Sequence, residues 1–196
     1  MEPSRIPVPP GCIAAVVTYL QMVAPPDRSE SSPPDGIEFV RVHEPDTEWY
    51  RRLYRSVGED WLWFSRLLLR DSELSAVIRD PLVEVWVARR DGAEIGLVEL
   101  DWRIGGECEL VFFGLVADEV GRGLGRWMLR AAIRQAWRPG VRRFWLHTCT
   151  LDHPAAVPFY CSEGFVPYRR EVEIDPDPRL AGAVRHDAAR FHPPIA

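Results

Sequence analysis

Apolar residues follow two different periods along this chain, and the switch between them falls at one place. Residues 109–116 are almost uninterruptedly apolar, the pattern of a strand covered on both faces. After a glycine-rich turn, Leu124, Met128, Leu129, Ala132, Ile133 and Ala136 recur every three or four residues, one stripe of an amphipathic helix over Gly123–Trp137. The other elements read off in order. Ile37–Val42 is a strand, and Thr47–Val57 is a helix capped by Thr47 or Asp46. Asp60–Leu69 and Ser72–Arg79 are expected to be helical, the second opening on Ser72. Val83–Arg89 and Glu94–Arg103 are strands joined by a tight Asp91-Gly92 turn, and Glu107–Val116 is the central strand. Arg143–Thr148 is a strand, Pro154–Ser162 a short helix that stops at Gly164, and Val166–Ile174 a last strand.

The ends of the chain differ in composition from its middle. Cys12–Val23 is rich in β-branched residues and bounded by Pro-Pro-Gly and Pro-Pro, so it reads as a strand. It could join an edge of the domain's own sheet or that of a partner chain, the second choice making a homodimer by strand exchange. Residues 25–36 are a Pro/Ser-rich linker, and the Pro- and His-containing tail from Asp175 is expected to be loosely docked. The division is therefore an N-terminal arm (1–36), a domain (37–175) and a tail (176–196). Over 37–175 the elements run in the order βααβββαβαβ.

The turn between the two periods holds candidate chemistry. Gly121, Gly123 and Gly125 precede a helix, where open backbone N–H groups and the positive end of the helix favour phosphate. Three phosphate-binding patterns can be tested. A dinucleotide fingerprint needs a glycine at Arg126 and an acidic residue about 20 positions on, where Phe144, Trp145 and Leu146 stand. A Walker A loop needs a lysine, and the chain contains none, which also excludes a lysine Schiff base. A pyrophosphate-bearing ligand that needs no lysine is left.

The stretch Glu109–Arg126 resembles motif A of the GNAT superfamily of acyl-CoA-dependent N-acyltransferases, whose (Gln/Arg)-x-x-Gly-x-(Gly/Ala) turn is matched by Val120-Gly121-Arg122-Gly123-Leu124-Gly125. His147–Phe165 resembles motif B, with Tyr160 to Phe165 standing where the family has Tyr-x-x-x-Gly-Phe. Val120 departs from the usual Gln or Arg, and Asp152 stands where many relatives have Asn. The resemblance implies this element order and the GNAT fold, an α/β (α+β) architecture whose mixed central sheet has flanking helices and two neighbouring parallel strands splayed around acetyl-CoA as co-substrate. It also implies a cofactor-binding set of Phe113, Leu115, Ala117, Gly121, Arg122, Gly123, Leu124, Gly125, Arg126 and Asp152. The implied reaction is acetyl transfer to a primary amine by direct attack. An acyl-CoA-binding sensor that has lost catalysis, or a structural assembly protein with an empty loop, would share the pattern.

Acyl transfer to an amine needs a base for the ammonium, a donor for the developing oxyanion and a proton for the leaving thiolate. Glu109 is the candidate base, sixteen residues before Gly125 as in histone-type relatives, with Glu99 and Asp101 as alternatives. Apolar neighbours should raise its pKa. Because Glu109 to Phe113 spans ~13 Å of strand, proton removal would run through water. Pairing of Glu109 with Arg103 or Arg143 would make it structural instead. Tyr160 is the candidate acid for the thiolate, and a backbone N–H at Phe113 or Leu115 the oxyanion donor.

Composition narrows the acceptor little. The acceptor is expected to be an amine-bearing small molecule, an amino acid or a peptide. A net charge of −5 gives no basis for affinity to nucleic acid or anionic membranes. Cys12, Cys108, Cys149 and Cys161 show no CxxC spacing and are expected to be reduced, mostly buried thiols of a cytoplasmic protein. His147 and His153 flank Cys149, but no metal is expected at that spacing. Trp49, Tyr50, Trp61, Trp63 and Phe64 could wall an acceptor site for a cationic amine, although Trp at helical spacing is more often core.

Overall fold

The computed structural model describes residues 5–27 and 32–195, so the middle of the Pro/Ser linker lies outside the described residues. Among the described residues seven strands form one sheet: β1 (Cys12–Met22), β2 (Ile37–Val42), β3 (Val83–Arg90), β4 (Ala93–Asp101), β5 (Glu107–Leu115), β6 (Arg143–Cys149) and β7 (Val166–Pro176). The α-helices α1 (Thr47–Gly58), α2 (Asp71–Ile78), α3 (Leu124–Ala136) and α4 (Ala156–Ser162) cover it. The spatial order is β2-β3-β4-β5-β6-β1-β7, with β5 and β6 parallel. This is the mixed α/β sheet that the resemblance implies.

The helices divide the sheet into two faces. Tyr50, Leu53, Tyr54 and Val57 of α1 and Leu74 and Ile78 of α2 pack with Val85, Val87 and Leu97 on one face. Met128, Leu129, Ala132 and Ile133 of α3 pack with Val98, Leu110, Leu115, Phe144 and Leu146 on the other. The α1 start is as expected, since the Asp46 carboxylate accepts from the Trp49 N–H at 2.9 Å. Helix α2 begins at Asp71 rather than with Ser72 as its cap. The Glu73 carboxylate reaches back to the Arg70 N–H at 2.9 Å and makes Arg70 the capping residue. At the β3–β4 turn Asp91 and Gly92 both have positive φ, 49° and 82°, as a tight hairpin of matching twist requires.

Four expectations are corrected. The segment 60–69 is not a helix: one 3-10 turn (Glu59–Trp61) leads to Leu62 at φ 55°, and the chain then runs irregularly to Arg70. The Trp63 N–H donates back to Gly58 O at 3.0 Å, closing α1 and folding the aromatics over its end. The N-terminal strand is not an arm outside a 37–175 domain, nor at an edge. Its 17–22 stretch pairs with β6 and its 12–21 stretch with β7, so it is an interior strand of its own chain's sheet. The tail, expected to dock loosely, is held by a buried ion pair between Asp177 and Arg179 at 2.7 Å. Arg179 also donates to Ala188 O and His192 O. Val184 and Ala188 bury against Leu62, and Arg185 pairs with Glu59 at 3.2 Å. Among the thiols only Cys108 is buried, Cys161 being exposed and the other two half-buried. Among the described residues no helix is long and apolar enough to cross a membrane.

Candidate active site

Strands β5 and β6 pair only through Glu107–Arg143, Cys108–Phe144 and Glu109–Trp145, and beyond these residues they separate. A bulge lies at the point of separation. Leu110 faces Leu100 and Phe112 faces Glu99, leaving Val111 as the extra residue of β5. The bulge turns Phe112 towards α1 and leaves Phe113 with Phe159 and Tyr160 on the α3–α4 face. The Val116 N–H donates to Ile95 O, on the β4 side, at 2.9 Å. Successive N–H groups of an extended strand point to alternate edges, so those of Phe113 and Leu115 face the gap. Both residues line a cavity of ≈ 780 Å³ that runs through the gap from one face of the sheet to the other.

At one end the cavity meets the glycine loop. Gly121 and Gly123 have φ of 82° and 81°, a conformation that side-chain-bearing residues rarely adopt, and a Cβ at either would meet nothing within 4 Å. Gly123 caps α3 without any side-chain hydrogen bond, so the first-turn N–H groups of the helix have no side-chain acceptor at its cap. An open concavity at a positive helix end fits a pyrophosphate. Gly125 and Arg126 also line this end. Arg126 is pinned to Glu163 at 3.3 Å, and Glu163 also holds Arg130 at 2.8 Å, tying α3 to α4. Arg122 is exposed and off the cavity wall; Leu124 is buried in the core, and Ala117 sits in a 3-10 turn away from the lining.

Tyr160 lines the cavity on the α4 side, 9% exposed, its ring against Phe113 and Phe165. Burial, reinforced by the Asp152 carboxylate, pushes its phenol well above the ordinary tyrosine range and keeps the O–H available as a donor. Asp152 accepts from Thr148 Oγ1 at 2.6 Å, from the Cys149 N–H at 2.9 Å and from Trp63 Nε1 at 3.4 Å. Its negative charge is thus spent on folding the loop after β6 and on holding Trp63.

The opposite end is walled from parts of the chain far apart in sequence. The aromatic set divides between core and wall. Tyr50 is fully buried and Trp49 binds Glu94 at 2.8 Å, whereas Trp61, Trp63 and Phe64 line the cavity. Trp63 lies against Gly58, where even a Cβ would come within 2.1 Å of the indole. Glu173 and Asp175 of β7 line the same end, and neither has an ion-pair partner among the described residues.

None of the three candidate bases lines this cavity. Glu99 is fully buried and accepts from Tyr50 OH and Arg66 Nη2, each at 2.5 Å. Asp101 is paired with Arg103 at 2.5 Å. Glu109 faces a smaller pocket with Glu107 and Trp145 and pairs with neither Arg103 nor Arg143. The titratable group closest to it is His147, whose Nδ1 is 3.6 Å from Oε1. His147 itself lines the main cavity. Sequence reading weighed His147 only as a metal ligand and passed over Glu173 and Asp175. The alternation Glu171, Glu173, Asp175 on the last strand was the available signal for one acidic face.

The family model described as the acetyltransferase (GNAT) family matches residues 42–165, more than half of the chain, and the chain belongs to that family. A search of curated proteins found no match. Among solved structures, a protein assigned to the GNAT family from Novosphingobium aromaticivorans is 20% identical with a TM-score of 0.56. The alignment covers 87% of this chain and 69% of that one. A GCN5-related N-acetyltransferase from Kribbella flavida is 20% identical, TM-score 0.58, covering 88% and 63%. A functionally unknown protein from Staphylococcus epidermidis is 15% identical, TM-score 0.59, covering 85% and 64%. The chain therefore spans less than two thirds of the length of the last two.

Proposed function

We propose that this chain is an N-acetyltransferase that moves an acetyl group from acetyl-CoA directly to a primary amine. The observation that carries this reading is the single cavity joining the open glycine loop, the separated strand edges and the aromatic, acidic end. In this reading the α3 N-terminus takes the pyrophosphate, with Gly121, Gly123 and Gly125 providing close approach and Arg126 the nearest charge. The N–H groups of Phe113 and Leu115 stabilise the oxyanion as the amine attacks the thioester carbonyl. Tyr160 donates to the departing sulfur. The acceptor's proton has to leave on the aromatic, acidic side, and Glu109 does not line the cavity itself.

Calorimetric titration with acetyl-CoA and with CoA, followed by thiol release in an amine screen, tests this reading. Micromolar acetyl-CoA binding, with Tyr160→Phe retaining that affinity and losing at least ~100-fold in kcat, is the expected result. Binding without turnover of any amine would make the chain an acyl-CoA sensor. No binding at millimolar ligand would leave the fold and remove the enzyme.

A further inference from the structure

The two proton-handling groups stand on opposite faces of the sheet. Phe144 and Leu146 of β6 belong to the core under α3, so by alternation Trp145, His147 and Cys149 point to the other face, where the acceptor would arrive. Tyr160 belongs to the α3–α4 face. His147 lines the cavity with its side chain 44% exposed, while its partner Glu109 is 19% exposed and off the wall. The Nε2 atom has no hydrogen-bond partner among the described residues, and Nδ1 is the atom turned to Glu109. The groups facing the imidazole come from four elements: Glu109 on β5, Tyr19 on β1 at 5.7 Å between rings, Glu173 on β7, and Asp152 in the loop after β6. Tyr19 is neutral and gives its O–H to Glu171 at 2.8 Å. The charged groups that act most strongly on the imidazole are thus carboxylates, while Arg169 lies over the Tyr19 ring.

We infer that His147 takes the proton from the acceptor ammonium, and that Glu109 is the positioning residue which orients the imidazole and stabilises its charge. This rests on the acetyltransferase reading above. It resolves the distance problem of Glu109, because the base that meets the amine is the next group towards the cavity. The balance is complete. Nε2 accepts one proton from R–NH3+ and passes it to solvent. The freed lone pair forms the C–N bond as the C–S pair leaves on sulfur. Tyr160 gives sulfur its proton, and the second proton lost by nitrogen restores the phenol. The surrounding carboxylates, Glu109 first, raise the imidazole above its ordinary value, towards the range a base needs near neutral pH.

Two measurements on the full chain decide the matter. The first is a pH titration of its histidine ring resonances by NMR, with H147Q assigning the signal. The His147 pKa should stand above about 6.5, fall by at least ~0.5 unit in E109Q, and its resonances should shift when acetyl-CoA is added. An unchanged pKa in E109Q, or no response to acetyl-CoA that binds, overturns the pairing. The second follows thiol release with phenethylamine, an ammonium at neutral pH, and with hydroxylamine, which is uncharged there. H147Q should cost the first at least ~30 times more than the second, and E109Q should move the acid limb of kcat/KM to lower pH. Equal losses for the two nucleophiles in an otherwise active enzyme overturn this inference alone. A wild-type protein that turns over neither overturns the acetyltransferase reading with it.

Discussion

The two ends of one cavity, which the proposed function assigns to the cofactor and to the acceptor, are built by opposite strategies. The cofactor end is a contiguous run, Val120 to Arg126, whose chemistry is mostly backbone: glycines at positive φ and the open N-terminus of α3. The acceptor end draws Ile13 and Ala15 from β1, Trp61 to Phe64 from the turn after α1, His147 from β6 and Glu173 and Asp175 from β7. The tail then braces that turn through Leu62, Val184 and Ala188. A ligand group shared by many enzymes can be held by a short local device. A wall assembled from distant segments can change its chemistry without disturbing that device.

Breaking the brace should have the largest effect. Asp177→Asn leaves Arg179 buried without its counter-charge, and removing one partner of a buried pair costs about 3–5 kcal/mol. Thermal unfolding should register this as a lower Tm. The Arg179 guanidinium also holds the Asp177 carboxyl below its ordinary value of 3.8. A depressed carboxylate contributes its stability above the unfolded value and loses it as pH falls through the folded one. Wild-type Tm should therefore drop more steeply below about pH 4 than that of D177N.

The next effect belongs to the cofactor end. Gly123→Val forces a β-branched residue to a φ of 81° and fills the concavity. Calorimetry should show acetyl-CoA affinity lowered at least ~100-fold, about 2.7 kcal/mol. Trp63→Ala should cost about 2–3 kcal/mol of stability, since the indole packs on Gly58 and binds Asp152. It should leave acetyl-CoA affinity within about threefold while raising the acceptor KM, which separates the two ends. The smallest change is expected for Arg122→Ala. Exposed and off the wall, Arg122 should contribute less than about 0.5 kcal/mol to acetyl-CoA binding, measured by the same titration.

Legibility followed the same division. The strand, turn and helix of residues 109–136 were readable because hydrophobic period and glycine placement are local properties. The Asp46 cap and the Asp91-Gly92 hairpin were readable for the same reason. The stretch 60–69 was not, because its helical spacing of aromatics was overridden by Trp63 closing on Gly58 and by Arg66 reaching Glu99. Glu109 was correctly placed on the central strand, but which edge and pocket it faced depended on the bulge at Val111. His147 carried no sequence signal for the role inferred above, since that inference starts from its 3.6 Å approach to Glu109 across two strands.

By itself, then, the sequence determined the two hydrophobic periods, the glycine-rich turn between them and the family to which they belong. These need only near neighbours along the chain. The tertiary structure alone decided that residues 12–22 lie inside the sheet, that the tail braces the acceptor wall, and which carboxylates reach the cavity. Strand order, bulge register and long-range ion pairs are settled by competition among distant segments for the same buried surface, and no local pattern encodes its outcome.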